Sequence, residues 1–219
     1  METDDSQPYS PEELADPTIE VKISRDAVNQ LPIHRYDGPI EIISDEQSLN
    51  RALEELKNEP SLGFDTESRP VFRRGENSMP SLLQLAGKDK VWLFQLQLLP
   101  DLAPLFSVLA DPKRIKMGIA IRDDIRKLNE LHSFNDGGFL ELANVTQKAG
   151  IVNTGLRKLV ALFLGFRISK GAQVSNWART RLTPAQINYA ATDAWVSREL
   201  YVKFEALGLI SDASTAQAI

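Results

Sequence analysis

The chain contains no cysteine. That excludes disulfides and thiolate metal sites, and it is compatible with a reducing compartment. Histidine is scarce as well, with His34 and His132 alone. No apolar run is long enough to span a bilayer, and the opening "METDDSQPYSPEE" lacks the basic and apolar regions of a signal peptide. A soluble, cytoplasmic protein is therefore expected. The sequence has no glycine-rich phosphate loop, no internal repeat and no low-complexity segment beyond the N-terminus. Positive charge is in deficit: the net charge of -5 gives no global pull toward nucleic acid. A local basic patch, or bound divalent cations, can still serve a polyanion where the total is negative.

What is present suits an ordinary globular core. The 219 residues are 42% hydrophobic and 25% charged, enough for one large domain or one domain with an extended arm. Residues 1–15 are acidic, polar and proline-bearing, which predicts disorder, and 16–37 form an arm without strong periodicity. The division expected is an N-terminal arm over 1–37, partly disordered, a catalytic-sized domain over 38–210 and a tail over 211–219.

Within that domain "PIEIISD" (39–45) reads as a strand, and Ser44 or Asp45 can cap the helix "EQSLNRALEELKN" that follows. "SLLQLAG" (81–87) and "KVWLFQL" (90–96) read as a hairpin. "LAPLFSVLA" (102–110) is helical, "RIKMGIA" (114–120) a strand, "RDDIRKLNEL" (122–131) a helix and "GFLELANV" (138–145) a strand. "TGLRKLVALFLG" (154–165) is a helix ended by Gly165. Thr183 and Pro184 open a last long helix reaching to about Leu207, with Gly208 as its stop. Strands with helices between them and an early hairpin predict an α/β fold with a mixed central β-sheet flanked by α-helices.

Several acids stand where apolar residues belong. In "SLGFDTES" (61–68), Asp65 and Glu67 end an apolar strand, and their i, i+2 spacing puts both on one face. On the helix after Arg122, Ile121, Ile125 and Leu128 form an apolar stripe with Asp124 beside it, while Asp123 falls on the solvated side. Capping of that helix's first turn would also account for Asp124. On the last helix Tyr189 and Asp193 are neighbours at i, i+4, on a stripe continued by Val196 and Leu200. A salt bridge to an arginine would also account for Asp193. One arrangement accounts for all of them together: carboxylates cluster stably when divalent cations sit between them, and hard oxygen ligands favour Mg²⁺ or Mn²⁺.

Three segments carry a family resemblance. "FDTES", "GIAIRDDIRKL" and "NYAATDA" resemble the three exonuclease motifs of the DEDD superfamily, and more narrowly its tyrosine-bearing branch (DEDDy), which includes ribonuclease D and the Werner-type exonuclease domain. The block "VSNWARTRLTPAQINYAATDAW" (174–195) is similar to that branch as a whole, and Gly155, Leu156 and Leu159 resemble a segment upstream. The sister branch places histidine five residues before the last aspartate, where this chain has Asn188. The resemblance spans roughly 38–207 and implies a ribonuclease H-like fold. It implies that Asp65, Glu67 and Asp193 hold one metal, that Asp65 bridges to a second, and that Asp124 supports the second mainly through water. Tyr189 would orient the attacking water and the scissile phosphate. Two Mg²⁺ or Mn²⁺ ions would serve as cofactors, and single-stranded 3′ ends of DNA or RNA as substrate, released as nucleoside 5′-monophosphates. The chain departs from ribonuclease D in that no helical nucleic-acid-binding domain follows the last helix, so a catalytic domain standing alone is expected. The alternative is a catalytically silent nucleic-acid-binding or scaffold protein of the same fold.

Outside these motifs, Arg69, Arg73, Arg74, Arg179, Arg181 and Lys170 are candidate phosphate contacts or solvated loop charges. Trp177 is a core residue or a base-stacking platform. His132, at a helix end, is expected on the surface.

Overall fold

The computed structural model describes residues 22–70, 78–152 and 154–210. A six-stranded sheet runs in the order β1-β4-β3-β2-β5-β6, with β1 Ile40–Ile43, β2 Ser61–Ser68, β3 Pro80–Ala86, β4 Val91–Gln95, β5 Ile115–Gly118 and β6 Phe139–Glu141. The β1–β4, β2–β5 and β5–β6 pairs are parallel and the β2–β3 and β3–β4 pairs antiparallel, so β3 alone runs against the rest. The helices are α1 Arg25–Gln30, α2 Glu46–Leu56, α3 Ala103–Ala110, α4 Arg122–Leu131, α5 Leu142–Lys148, α6 Leu156–Leu164 and α7 Pro184–Ala206. The expected mixed α/β architecture is present. No helix of the described residues is long and apolar enough to cross a membrane.

Alternation along the central strand decides what each layer holds. Leu62 and Phe64 point into a core shared with α2, α3 and α4, where Leu49, Leu56, Phe106 and Leu128 lie. Gly63 faces the other way, against α7: a Cβ there would overlap the carbonyl oxygen of Ala194. Glycine is thus required for the close approach of helix to strand, which brings α7 next to Asp65 and Glu67. Each fully buried Leu or Phe contributes roughly 1.5–3 kcal/mol, so both layers hold β2 firmly.

Capping sets where α2 and α7 begin. Asp45 accepts the amide of Ser48 at 2.8 Å and Ser48 returns the bond, and Thr183 and Gln186 form the same box at the start of α7. Pro184 occupies the first helical position, where a missing N–H costs nothing. Gly165 and Gly208 end α6 and α7 in the left-handed conformation, at φ 73° and 70°.

Three sequence expectations need correction or extension. The strand expected over 138–145 stops at Glu141, whose side chain accepts the amide of Ala143 and starts α5. Leu142, Val145 and Thr146, at helical spacing, carry the burial of that helix. His132 is half-buried rather than on the surface, its ring 4.8 Å from that of Phe106. The described part of the arm is structured. Ile23 and Val28 join the core beside α6 and α7, α1 is capped by Ser24, and Tyr36 donates its amide to Thr192 Oγ1 at 3.0 Å. One turn and a half with a single buried residue leaves no periodicity to read. Residues 1–21 and 211–219, with their expected disorder and tail, lie outside the described residues.

Candidate active site

The C-terminal end of β2 lies under the middle of α7. Asp65 and Glu67 rise from the strand face that Gly63 opens, and Asp193 comes down from the helix. One carboxylate oxygen from each of Asp65, Glu67 and Asp193 falls within 4.8 Å of the others. Asp193 is 6% exposed, and Asp65 and Glu67 are half-buried. Tyr189, one helical turn before Asp193, hydrogen-bonds to its carboxylate and packs its ring 6.0 Å from that of Trp177. Trp177 is a core residue, 1% exposed.

Asp124 is not in that group of three. It stands at the start of α4, and Thr66 Oγ1 donates to its Oδ1 at 2.6 Å. Because side chains alternate along β2, Thr66 turns away from Asp65 and Glu67 toward α4. Asp124 is thus held by Thr66 outside the group of three, yet close enough for its charge to act on Asp65 and Glu67. Asp123 is solvated, as its place on the helix predicts.

The electrostatics are those of a site short of positive charge. Burial, then the negative charges of Asp193, Glu67 and Asp124, hold the Asp65 carboxyl well above the usual carboxylate range. Burial, then Asp193 and Asp124, push Glu67 up to about 8. Burial raises Asp193 to about 7 against the opposing pull of the Tyr189 hydroxyl and of Arg157. Burial raises Asp124 as well, opposed by its bond from Thr66. Burial and the neighbouring Asp193 drive Tyr189 upward, so its hydroxyl stays protonated at neutral pH. Four carboxylates with raised pKa and one nearby arginine suit hard divalent cations: the donors are all oxygen, and the missing charge is positive.

A groove of about 680 Å³ opens over these groups, with Arg157, Lys158 and Lys170 on its walls and Ile168 on its floor. Arg157 is fixed by its Nε bond to the Ile168 carbonyl at 3.1 Å. Among the sequence candidates, Lys170 lines this groove, whereas Arg69, Arg179 and Arg181 are exposed outside it and Arg73 and Arg74 lie outside the described residues. Sequence reasoning passed over Thr66, although the alternation of "DTE" already turned it to the opposite face. It also passed over Arg157 and Lys158, which sit on an ordinary amphipathic helix and offer no local signal.

A sequence model of the 3′–5′ exonuclease family matches residues 40–208. The chain belongs to the 3′–5′ exonuclease family. Ribonuclease D of Gluconacetobacter diazotrophicus is 33% identical over 171 residues, which cover 76% of this chain and 42% of that protein. The exonuclease domain thus spans about two fifths of that relative's length. The Nibbler EXO domain of Aedes aegypti superposes with a TM-score of 0.73 at 25% identity, covering 80% of this chain and 92% of the other. RNase D of Escherichia coli shares the fold, with a TM-score of 0.69 at 23% identity, covering 80% of this chain and 48% of that one. The ribonuclease H-like fold and the family inferred from the motifs are both borne out.

Proposed function

We propose that this exonuclease domain is a metal-dependent enzyme that removes nucleoside 5′-monophosphates from the 3′ end of single-stranded DNA or RNA. The observation that carries the reading is the meeting of Asp65, Glu67 and Asp193 within 4.8 Å, the first two half-buried and the third buried, short of positive charge and beside a protonated tyrosine. Asp65, Glu67 and Asp193 would hold one cation, and Asp124, whose charge reaches Asp65 and Glu67, would help to hold a second. Two Mg²⁺ or Mn²⁺ ions would supply the charge that activates water and stabilises the leaving oxygen.

The residues themselves position and orient. Tyr189 is a hydrogen-bond donor and not a base, since its hydroxyl keeps its proton at neutral pH. In the reaction it donates to the attacking water or to a scissile phosphate oxygen. The water oxygen bonds to phosphorus and the bond from phosphorus to the 3′ oxygen of the penultimate nucleotide breaks. The attacking water gives up a proton to solvent, the 3′ oxygen takes one from solvent, and the last nucleotide leaves as its 5′-monophosphate. Lys158 and Lys170, which line the groove, would neutralise phosphates of the bound strand.

The test uses 3′-labelled single-stranded oligonucleotides with Mg²⁺, Mn²⁺ or chelator, with RNA tried first because a relative is a ribonuclease D. Release of labelled mononucleotide that needs the metal and disappears in Asp65→Ala is expected. Activity that survives Asp65→Ala would overturn the assignment.

A further inference from the structure

The N-terminal arm lies outside the matched family segment of 40–208, yet it reaches the acids. Residues Leu31–Tyr36 are strapped to the body at several points. Arg167 donates its amide to Pro32 and its Nε to Leu31, His34 donates its amide to Arg167, and Tyr36 donates its own to Thr192. Between two anchored backbone positions stands Arg35, exposed, with no ion pair among the described residues. His34 is also exposed, and its ring lies 5.0 Å from that of Phe166.

Both side chains line a second pocket, of about 200 Å³, whose other walls include Ala172, Ala185 and Asn188. The pocket shares Ser169, Tyr189 and Asp193 with the main groove, so it opens directly beside the reacting groups. Its size suits one nucleoside moiety and its walls are mostly small or apolar. A guanidinium and an exposed aromatic ring at the mouth are the pair that single-stranded nucleic acids are held by: phosphate on the cation, base on the ring face.

We infer that the arm completes the substrate cleft, with Arg35 binding a phosphate and His34 offering its ring to a base of a single-stranded nucleic acid. This rests on the reading that nucleic acid is the substrate, and it adds a binding element that residues 40–208 do not contain. Arg35 is a substrate-positioning residue. It is exposed and makes no side-chain hydrogen bond or ion pair among the described residues, so Arg35→Ala is expected to leave the melting temperature unchanged.

Binding is read by fluorescence anisotropy over a salt series. The probe is a short labelled single-stranded RNA with a phosphorothioate at its last linkage, in the presence of Mg²⁺, so that it persists uncut. Arg35→Ala is expected to weaken binding about 5-fold and to lower the slope of log K against log salt by about 0.7, the contribution of one phosphate contact to a single strand. Arg35→Lys keeps the slope. His34→Ala weakens binding at least about 5-fold and leaves the slope unchanged, as lost stacking does. Wild-type affinity and slope in Arg35→Ala overturn the inference. If the wild type then also releases mononucleotides from an unmodified strand, the exonuclease reading stands without it. Arg35-dependent binding with no release of nucleotide supports the cleft and overturns the exonuclease reading instead.

Discussion

Glu67→Gln should make the metal-free protein more stable, and the gain should depend on pH. The folded protein holds Glu67 at about 8 against an ordinary 4.5, because burial and the charges of Asp193 and Asp124 oppose its ionisation. The folded state therefore keeps a proton that the unfolded state releases, and stability falls as pH rises through 4.5 to 8. The gap corresponds to a ceiling of roughly 5 kcal/mol above pH 8. Glutamine keeps the shape but must bury its own amide, and the neighbouring carboxylates are themselves partly neutral. A net gain of about 2–3 kcal/mol at pH 8 follows, or about 5–10 °C in Tm for a domain of this size. Well below pH 4.5 Glu67 is protonated in both the folded and the unfolded state, and the pH-dependent part of the difference should vanish. Thermal melts of both proteins at matched pH from acid to pH 8, in chelator, give the curve directly. Mg²⁺ should raise the melting temperature of the wild type more than that of the variant. A variant that melts no higher than wild type at pH 8 in chelator, or a difference that stays flat across pH, would show that the acids are not mutually destabilising and refute the reasoning.

Tyr189→Phe keeps the ring beside Trp177 but removes the hydroxyl that meets Asp193, so kcat should fall on the order of 10²-fold with KM little changed. Steady-state kinetics that show an unchanged kcat would remove the tyrosine from the chemistry. Gly63→Ala sets a Cβ against the Ala194 carbonyl and should cost at least about 2–3 kcal/mol, read as a lower Tm, by forcing α7 off the central strand. Thr66→Val strips Asp124 of its 2.6 Å donor and should destabilise the metal-free protein by about 1–2 kcal/mol in chemical unfolding at neutral pH. A denaturation midpoint equal to wild type would mean that Asp124 finds its hydrogen bond elsewhere.

Local patterns made much of the fold legible. The caps at Asp45 and Thr183, the stop signals at Gly165 and Gly208 and the hairpin over 81–96 follow from short-range chemistry that the chain displays directly. The strand expected over 138–145 ends early because a short segment with Phe139, Leu140, Leu142 and Val145 as its large apolar residues suits either period, and the Glu141 side chain starts the helix. The arm was unreadable for a different reason. Its order comes from backbone bonds to Arg167 and Thr192, far along the chain, and such bonds leave no trace in side-chain periodicity.

The candidate site divides in the same way. Spacing alone determined that Asp65 and Glu67 share a strand face and that Tyr189 and Asp193 share a helix face, because the periods of 2 and 3.6 are properties of the backbone. Whether those two faces meet is a matter of long-range packing: a glycine at 63 lets α7 settle onto β2, and only then do three carboxylates come within 4.8 Å. Tertiary structure also decided that Asp124 is held by the Thr66 hydroxyl beside the group of three, and that the arm brings Arg35 to the mouth of the same cleft. Sequence fixes the direction in which a side chain leaves its own element. What it meets there depends on which elements bury enough apolar surface against each other to stay together.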